Sequence, residues 1–171
     1  MTETKVWGLD HDTERFRDFE VGYAHDLSRG APKGIEEIGA PSVEGTLLYT
    51  GYPPHFEGVD FPVSDDGSLV MSRRMLNALD AAGEFQREVV PVEVTDYPLQ
   101  LREWRSSVGD ARADAVLHGY VVVRGLANLD PDRLDESALP PLFQLGSRTP
   151  FVSSKARAAL ETAGIVGVAF W

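Results

Sequence analysis

The chain has 171 residues, no cysteine, a formal net charge of −11 at pH 7 and an isoelectric point near 4.7. This length suits a single domain with a sizeable core, and the lack of cysteine excludes disulfides, thiolate metal sites and a cysteine nucleophile. The acidity disfavours binding to nucleic acid or to an anionic membrane, because both need a basic face. The sequence shows no bilayer-spanning apolar run and no secretory signal, so we expect a cytoplasmic protein.

Short strands and short helices alternate along the chain, joined by segments rich in glycine and proline. TLLYT at 46–50 predicts a strand, and GYPPHFEG at 51–58 predicts a surface loop. The loop displays Tyr52 and Phe56, and such aromatic side chains either anchor a partner or fold back onto the core. SDDGS at 64–68 predicts a tight, hairpin-like turn between FPV and LVM.

One short phrase occurs twice: residues 70–83 read VMSRRMLNALDAAG and residues 151–164 read FVSSKARAALETAG. An offset of 81 positions aligns Ser72 with Ser153 and matches serine, alanine, leucine, alanine and glycine. In each copy, the matching residues are the serine that caps the helix, the alanines and leucine that pack, and the glycine that ends the helix. No reactive catalytic side chain is repeated. The repeat therefore predicts a reused packing unit rather than a reused catalytic site. Internal duplication and convergence on good capping both remain open.

Each copy predicts a strand, a capped helix, a glycine stop and another strand. Ser72 is the predicted cap of the first helix, and Ser153 or Ser154 that of the second. Their inward faces are predicted to be Met75, Leu76, Leu79 and Ala82, then Ala156, Ala159, Leu160 and Ala163. Four charged residues are interpreted as ordinary helix-surface charges: Arg74, Asp80, Lys155 and Glu161.

Further strands are predicted at 89–94 (VVPVEV), 117–126 (LHGYVVVRGL) and 165–170 (IVGVAF). Pro91 lies within the first of these and predicts an edge strand or a bulge there. The alternation of elements predicts one α+β domain over residues 1–171, with a mixed, mostly antiparallel sheet and a few short helices.

Familiar catalytic and metal-binding motifs are absent from the sequence. DHD at 10–12 is the densest group of metal-ligating residue types, but neighbours in a strand point to opposite faces. Asn128, Asp130 and Asp132 begin like a calcium loop, yet the glycine and glutamate that this loop requires are missing. We therefore predict no catalytic residue, no metal site and no cofactor.

The C-terminal segment 139–171 carries a resemblance to a known family. LPPLFQLGSRTPFVSSKARAALETAGIVGVAFW resembles the closing segment of immunity-protein family eleven of the bacterial polymorphic-toxin classification, formerly a domain of unknown function. The matching motifs are Leu142-Phe143-Gln144-Leu145, Phe151-Val152-Ser153, Ala159-Leu160-Glu161-x-Ala163-Gly164 and Gly167-Val168-x-Phe170. HGYVVVRGLANLDPDRLD and FPVSDDGSLVMSRRMLNALDAAG resemble earlier parts of the family, so the similarity covers about residues 60–171.

The resemblance implies a non-enzymatic immunity protein that binds and neutralises a cognate toxin. Many such toxins are nucleases with basic clefts, which an acidic protein can occupy and be steered towards. Besides the two loop aromatics, the acidic candidates for a partner-binding surface are Asp10, Asp12, Glu14, Asp18, Glu20, Asp130, Asp132, Asp135 and Glu136. Both acidic groups are also typical of solvated faces. The alternatives are a homo-oligomeric scaffold or regulatory module, associating through an edge strand, and a small enzyme joining His55 or His118 to carboxylates.

Overall fold

The computed structural model describes residues 5–12, 25–26, 47–50, 58–62, 64, 67–95, 116–146 and 149–171, with the backbone alone at 25–26, 47–50, 93–95 and 116–118. Its elements, in chain order, are β1 (Val6–His11), β2 (His25–Asp26), β3 (Leu47–Thr50), β4 (Leu69–Ser72), α1 (Arg73–Ala82), β5 (Glu88–Thr95), β6 (Val116–Arg124), β7 (Asn128–Leu129), β8 (Leu142–Leu145), β9 (Pro150–Ser153), α2 (Ser154–Thr162) and β10 (Val168–Phe170). Two 3-10 turns, Pro131–Arg133 and Glu136–Ala138, lie between β7 and β8. The predicted α+β class is confirmed.

The strands in the described part of the chain form two five-stranded sheets rather than the single sheet that we predicted. One has the order β10-β1-β9-β8-β7, and the other has the order β2-β3-β5-β6-β4. Each contains one parallel pair, β7 with β8 and β3 with β5, and its other pairs are antiparallel. The predicted mixed, mostly antiparallel character is therefore correct.

One hydrophobic core joins the two sheets through the two helices. Leu9 of β1, Met71 of β4 and Val121 of β6 are buried in the same cluster as Leu79 of α1 and Leu160 of α2. Each of these five side chains is at most 2% exposed. The two helices therefore bury their apolar faces in a core that neither sheet forms alone.

The helix predictions are largely confirmed, because caps and apolar periodicity are local signals. The Ser72 hydroxyl accepts from the Met75 N–H at 3.1 Å, and the Ser153 hydroxyl accepts from the Ala156 N–H at 3.2 Å. Ser153 rather than Ser154 is thus the cap of α2. All four predicted inward residues of α1 are buried. In α2, Ala156 and Leu160 are buried, Ala159 is half-buried, and Ala163, directly after the helix, is exposed.

The edge-strand interpretation of Pro91 is wrong. β5 lies in the middle of its sheet, between β3 and β6. In the described register, pairing with β3 begins at Val92, just after the proline, and the register with β6 shifts between Val92 and Val94. Pro91 itself is paired in register with Val121, and the irregularity lies beyond it, between Val92 and Val94.

Residues 65 and 66 of the turn predicted at 64–68 lie outside the described residues, but the hydrogen bond that spans them is described. The Gly67 N–H donates to the Ser64 carbonyl at 3.2 Å, and the Ser72 N–H donates to the Asp60 carbonyl at 2.7 Å. Gly67 has a φ of 72°, which a glycine adopts without steric cost.

Candidate functional site

Negative charge is concentrated on the exposed segment 130–136, directly after the edge strand β7. Its sequence DPDRLDE carries four carboxylates and one arginine, and Asp130, Asp132, Asp135 and Glu136 are all exposed. Arg133, 85% exposed, lies 3.6 Å from Asp130 and offsets part of that charge. All four acidic residues of this predicted group are therefore accessible to solvent.

Local hydrogen bonds fix the shape of this acidic segment. Asp130 Oδ1 accepts from the Asp132 N–H at 3.0 Å and so caps the first 3-10 turn, with Pro131 at the first turn position. Asp135 repeats the arrangement, accepting from the Ser137 N–H at 3.0 Å and from the Ser137 hydroxyl at 2.7 Å. These hydroxyl and backbone hydrogen bonds hold the pKa of the Asp135 carboxyl below its usual value. The segment thus presents its four carboxylates on a backbone that local hydrogen bonds hold in place.

A groove with a volume of about 460 Å³ borders the acidic segment. It lies between the C-terminal end of α1 and the N-terminal end of α2. The residues that line it are Ala82, Gly83, Glu84, Glu136, Ser137, Ala138, Leu139, Pro140, Pro141, Ser153, Ser154 and Lys155. A smaller hollow of about 190 Å³ lies between the two 3-10 turns and shares three of these residues. Concave surface and exposed carboxylates therefore occur side by side here.

The two described members of the other predicted acidic group, Asp10 and Asp12, lie on β1 and directly after it, away from this surface. Asp10 pairs with Ala169 on the β10 side of β1, whereas the acidic segment follows β7 at the opposite edge. β9 and β8 lie between them, a separation of about 14 Å across three strand spacings. Asp10 is exposed and Asp12 is half-buried. Glu14, Asp18, Glu20, Tyr52 and Phe56 lie outside the described residues.

A buried carboxylate that the sequence did not single out connects the two halves of the repeat. Asp60 is 5% exposed and accepts from the Ser72 hydroxyl, from the Arg74 guanidinium and from the Val166 N–H. Burial by itself raises the pKa of the Asp60 carboxyl, but these hydrogen bonds and the arginine charge outweigh it and lower the pKa overall. Arg74 also donates to the Gly164 carbonyl at 2.8 Å.

Arg74 is consequently not the ordinary surface charge that its helical position indicated. The other three charges behave differently. Asp80 pairs with Arg87 and Glu161 pairs with Arg157, each at 2.7 Å, and Lys155 is exposed. Arg74 differs from them because it bonds to Asp60, 14 positions earlier in the chain. No local sequence pattern indicates that contact.

The histidine that the structure describes with its side chain is bonded to the backbone rather than placed for catalysis. His11 Nδ1 donates to the Phe61 carbonyl at 3.1 Å, and the two rings stack with centroids 4.3 Å apart. Burial lowers the pKa of His11, and the Phe61 carbonyl and the Asp10 charge oppose that shift only in part. The side chains of His55 and His118 lie outside the described part of the chain.

Within the described ranges, no three His, Asp or Glu side chains come together as metal ligands, and no helix is long and apolar enough to cross a membrane. The chain matches no protein-family model, and no curated protein sequence matches it significantly.

Proposed function

We propose that this chain is a non-enzymatic immunity protein that acts in the cytoplasm by binding and neutralising a cognate bacterial toxin with a basic surface. The observation that carries the proposal is the segment 130–136, whose four carboxylates are exposed and whose backbone is fixed by its own aspartate caps. Binding a partner should cost this segment little conformational entropy, because its conformation is set before binding.

The charge of the whole chain supports the same partner. A net charge of −11 attracts a basic protein from a distance and raises the association rate, most strongly at low ionic strength. Capture speed matters for an inhibitor of a lethal protein. The resemblance of residues 60–171 to an immunity-protein family favours this interpretation over general solubility.

The proposal is tested by capturing partners of the tagged chain from a lysate of its own organism, washed at low and then moderate salt. We expect one basic protein that is released as the salt concentration rises. Asp132→Lys should abolish its capture, whereas the matched reversal Asp10→Lys, at the other side of the sheet, should leave it intact. Capture that is unaffected by salt or by Asp132→Lys would reject the acidic segment as the binding surface.

A homo-oligomeric module is the second candidate, and one observation favours it. β10 is an edge strand, and Trp171 directly after it is 63% exposed. Exposed strand edges can pair with a second chain. Light scattering across a wide concentration range decides this: a dimer that Trp171→Ala disrupts would support self-association through β10, and a monomer throughout would eliminate it.

A further inference from the structure

The two copies of the repeat create two equivalent junctions between the helices. At the first junction, the chain after α2 meets the start of α1: Arg74 donates to the Gly164 carbonyl, and the Val166 N–H donates to Asp60 Oδ2 at 2.9 Å. The Asp60 carboxylate fills this junction and also accepts from Ser72 and Arg74.

At the second junction, the chain after α1 meets the start of α2. The offset of 81 positions places Pro141 where the first copy has Asp60, and the backbone agrees, because the Ser153 N–H donates to the Pro141 carbonyl as the Ser72 N–H donates to that of Asp60. Gly83, the counterpart of Gly164, lies against the Pro141 ring. A proline supplies no carboxylate, and the groove of about 460 Å³ opens at this place.

Two donors at the second junction lack the partner that their counterparts have. Ser153 is 6% exposed, and its hydroxyl accepts from Ala156 but donates to no acceptor in the described part of the chain, whereas the Ser72 hydroxyl donates to Asp60. Lys155, the counterpart of Arg74, is exposed and makes no ion pair with any described residue. Both line the groove.

From this internal comparison we infer that the groove at the second junction is a binding site for a carboxylate, held by the Ser153 hydroxyl and the Lys155 ammonium. Charge-assisted hydrogen bonds of this kind are stronger than neutral ones. Glu84 and Glu136 also border the groove and are exposed, so they repel a free anion. The occupant is therefore a carboxylate on a partner protein that presents a basic side chain beside it.

The first test places the missing carboxylate within the chain. Pro141→Asp should recreate the first junction and raise Tm by about 2–4 °C at pH 7 relative to the matched neutral variant Pro141→Asn. The comparison with asparagine cancels the loss of the proline ring, which both variants share. Lys155→Gln should remove most of the difference. Equal Tm values for the aspartate and asparagine variants would overturn the inference.

The second test titrates the ¹⁵N-labelled full chain with a capped tripeptide that contains one aspartate and one lysine. We expect saturable shifts of the 154–156 amide resonances, absent with the same peptide carrying asparagine and weakened at least tenfold by Pro141→Asp. Sodium acetate at matched ionic strength should bind more weakly than the peptide. No saturable shift with the peptide, or equal binding of acetate, would contradict a protein carboxylate as the ligand. Neither test involves a toxin, so its failure would leave the proposed function untouched.

Discussion

The Arg74 guanidinium donates to the Asp60 carboxylate across the start of α1, with Nη2 and Oδ2 2.5 Å apart. The pair is asymmetric, because the side chain of Arg74 is 55% exposed and that of Asp60 only 8%. The arginine keeps most of its hydration, while the carboxylate depends on protein donors. Replacing Asp60 should therefore destabilise the fold more than replacing Arg74.

Asp60→Asn should lower the free energy of unfolding by about 2–3 kcal/mol, because it weakens several hydrogen bonds to a buried charge at once. Urea unfolding measures this loss. The matched control is Asp80→Asn, which breaks a pair with Arg87 whose carboxylate is 38% exposed and should cost no more than about 1 kcal/mol. Equal losses in the two variants would show that the Asp60 network does not stabilise the fold.

Acid should remove the contribution of Asp60. Its pKa is lower in the folded chain than the unfolded value of about 3.9, so the stabilisation is present above that value and is lost as the pH falls through the folded pKa. The Tm difference between the wild type and Asp60→Asn should stay constant from about pH 7 to 5 and narrow below about pH 4. The remaining carboxylates are the same in both proteins, so their contributions cancel in the Tm difference. A Tm difference that grows on acidification would contradict a folded-state pKa of Asp60 below the unfolded value.

The features of the fold that could be predicted from the sequence are those set by neighbouring residues. Ser72, Ser153 and the helix faces follow from capping and from apolar spacing, which act within a few positions. The place of β5 could not be predicted, because it depends on parallel pairing with β3, far away in the chain. The division into two sheets is non-local in the same way.

The candidate site also combines features set by neighbouring residues with features set by distant ones. The cap at Asp130 and the acidity of its segment are visible in the sequence. The Asp60 network brings together residues that are up to 106 positions apart, and the groove exists only because the end of α1 meets the start of α2. No local pattern encodes either contact.

The two helix caps should differ in energy although both are serines. Ser153→Ala removes one cap and should cost about 1 kcal/mol. Ser72→Ala also removes the donor to Asp60, so we expect a loss of about 2 kcal/mol. Chemical denaturation of the two variants measures the difference. Equal losses would mean that the hydroxyl bond to Asp60 contributes nothing beyond capping.

The shared core predicts that both helices unfold together. Leu79→Ala in α1 and Leu160→Ala in α2 should each cost about 2–5 kcal/mol, because both side chains are 0% exposed and belong to one cluster. Each variant should still unfold in a single transition by circular dichroism and by tryptophan fluorescence. Two separate transitions in either variant would show that the repeats are independent units.

Neutralisation of toxicity tests the central claim most directly. The basic protein captured by this chain would be expressed in a test bacterium with or without the chain, and growth would be followed. We predict that the captured protein alone stops growth, that the chain restores it, and that Asp132→Lys abolishes the rescue while Asp10→Lys does not. A captured protein that is harmless, or growth arrest that the wild-type chain fails to relieve, would contradict the immunity function.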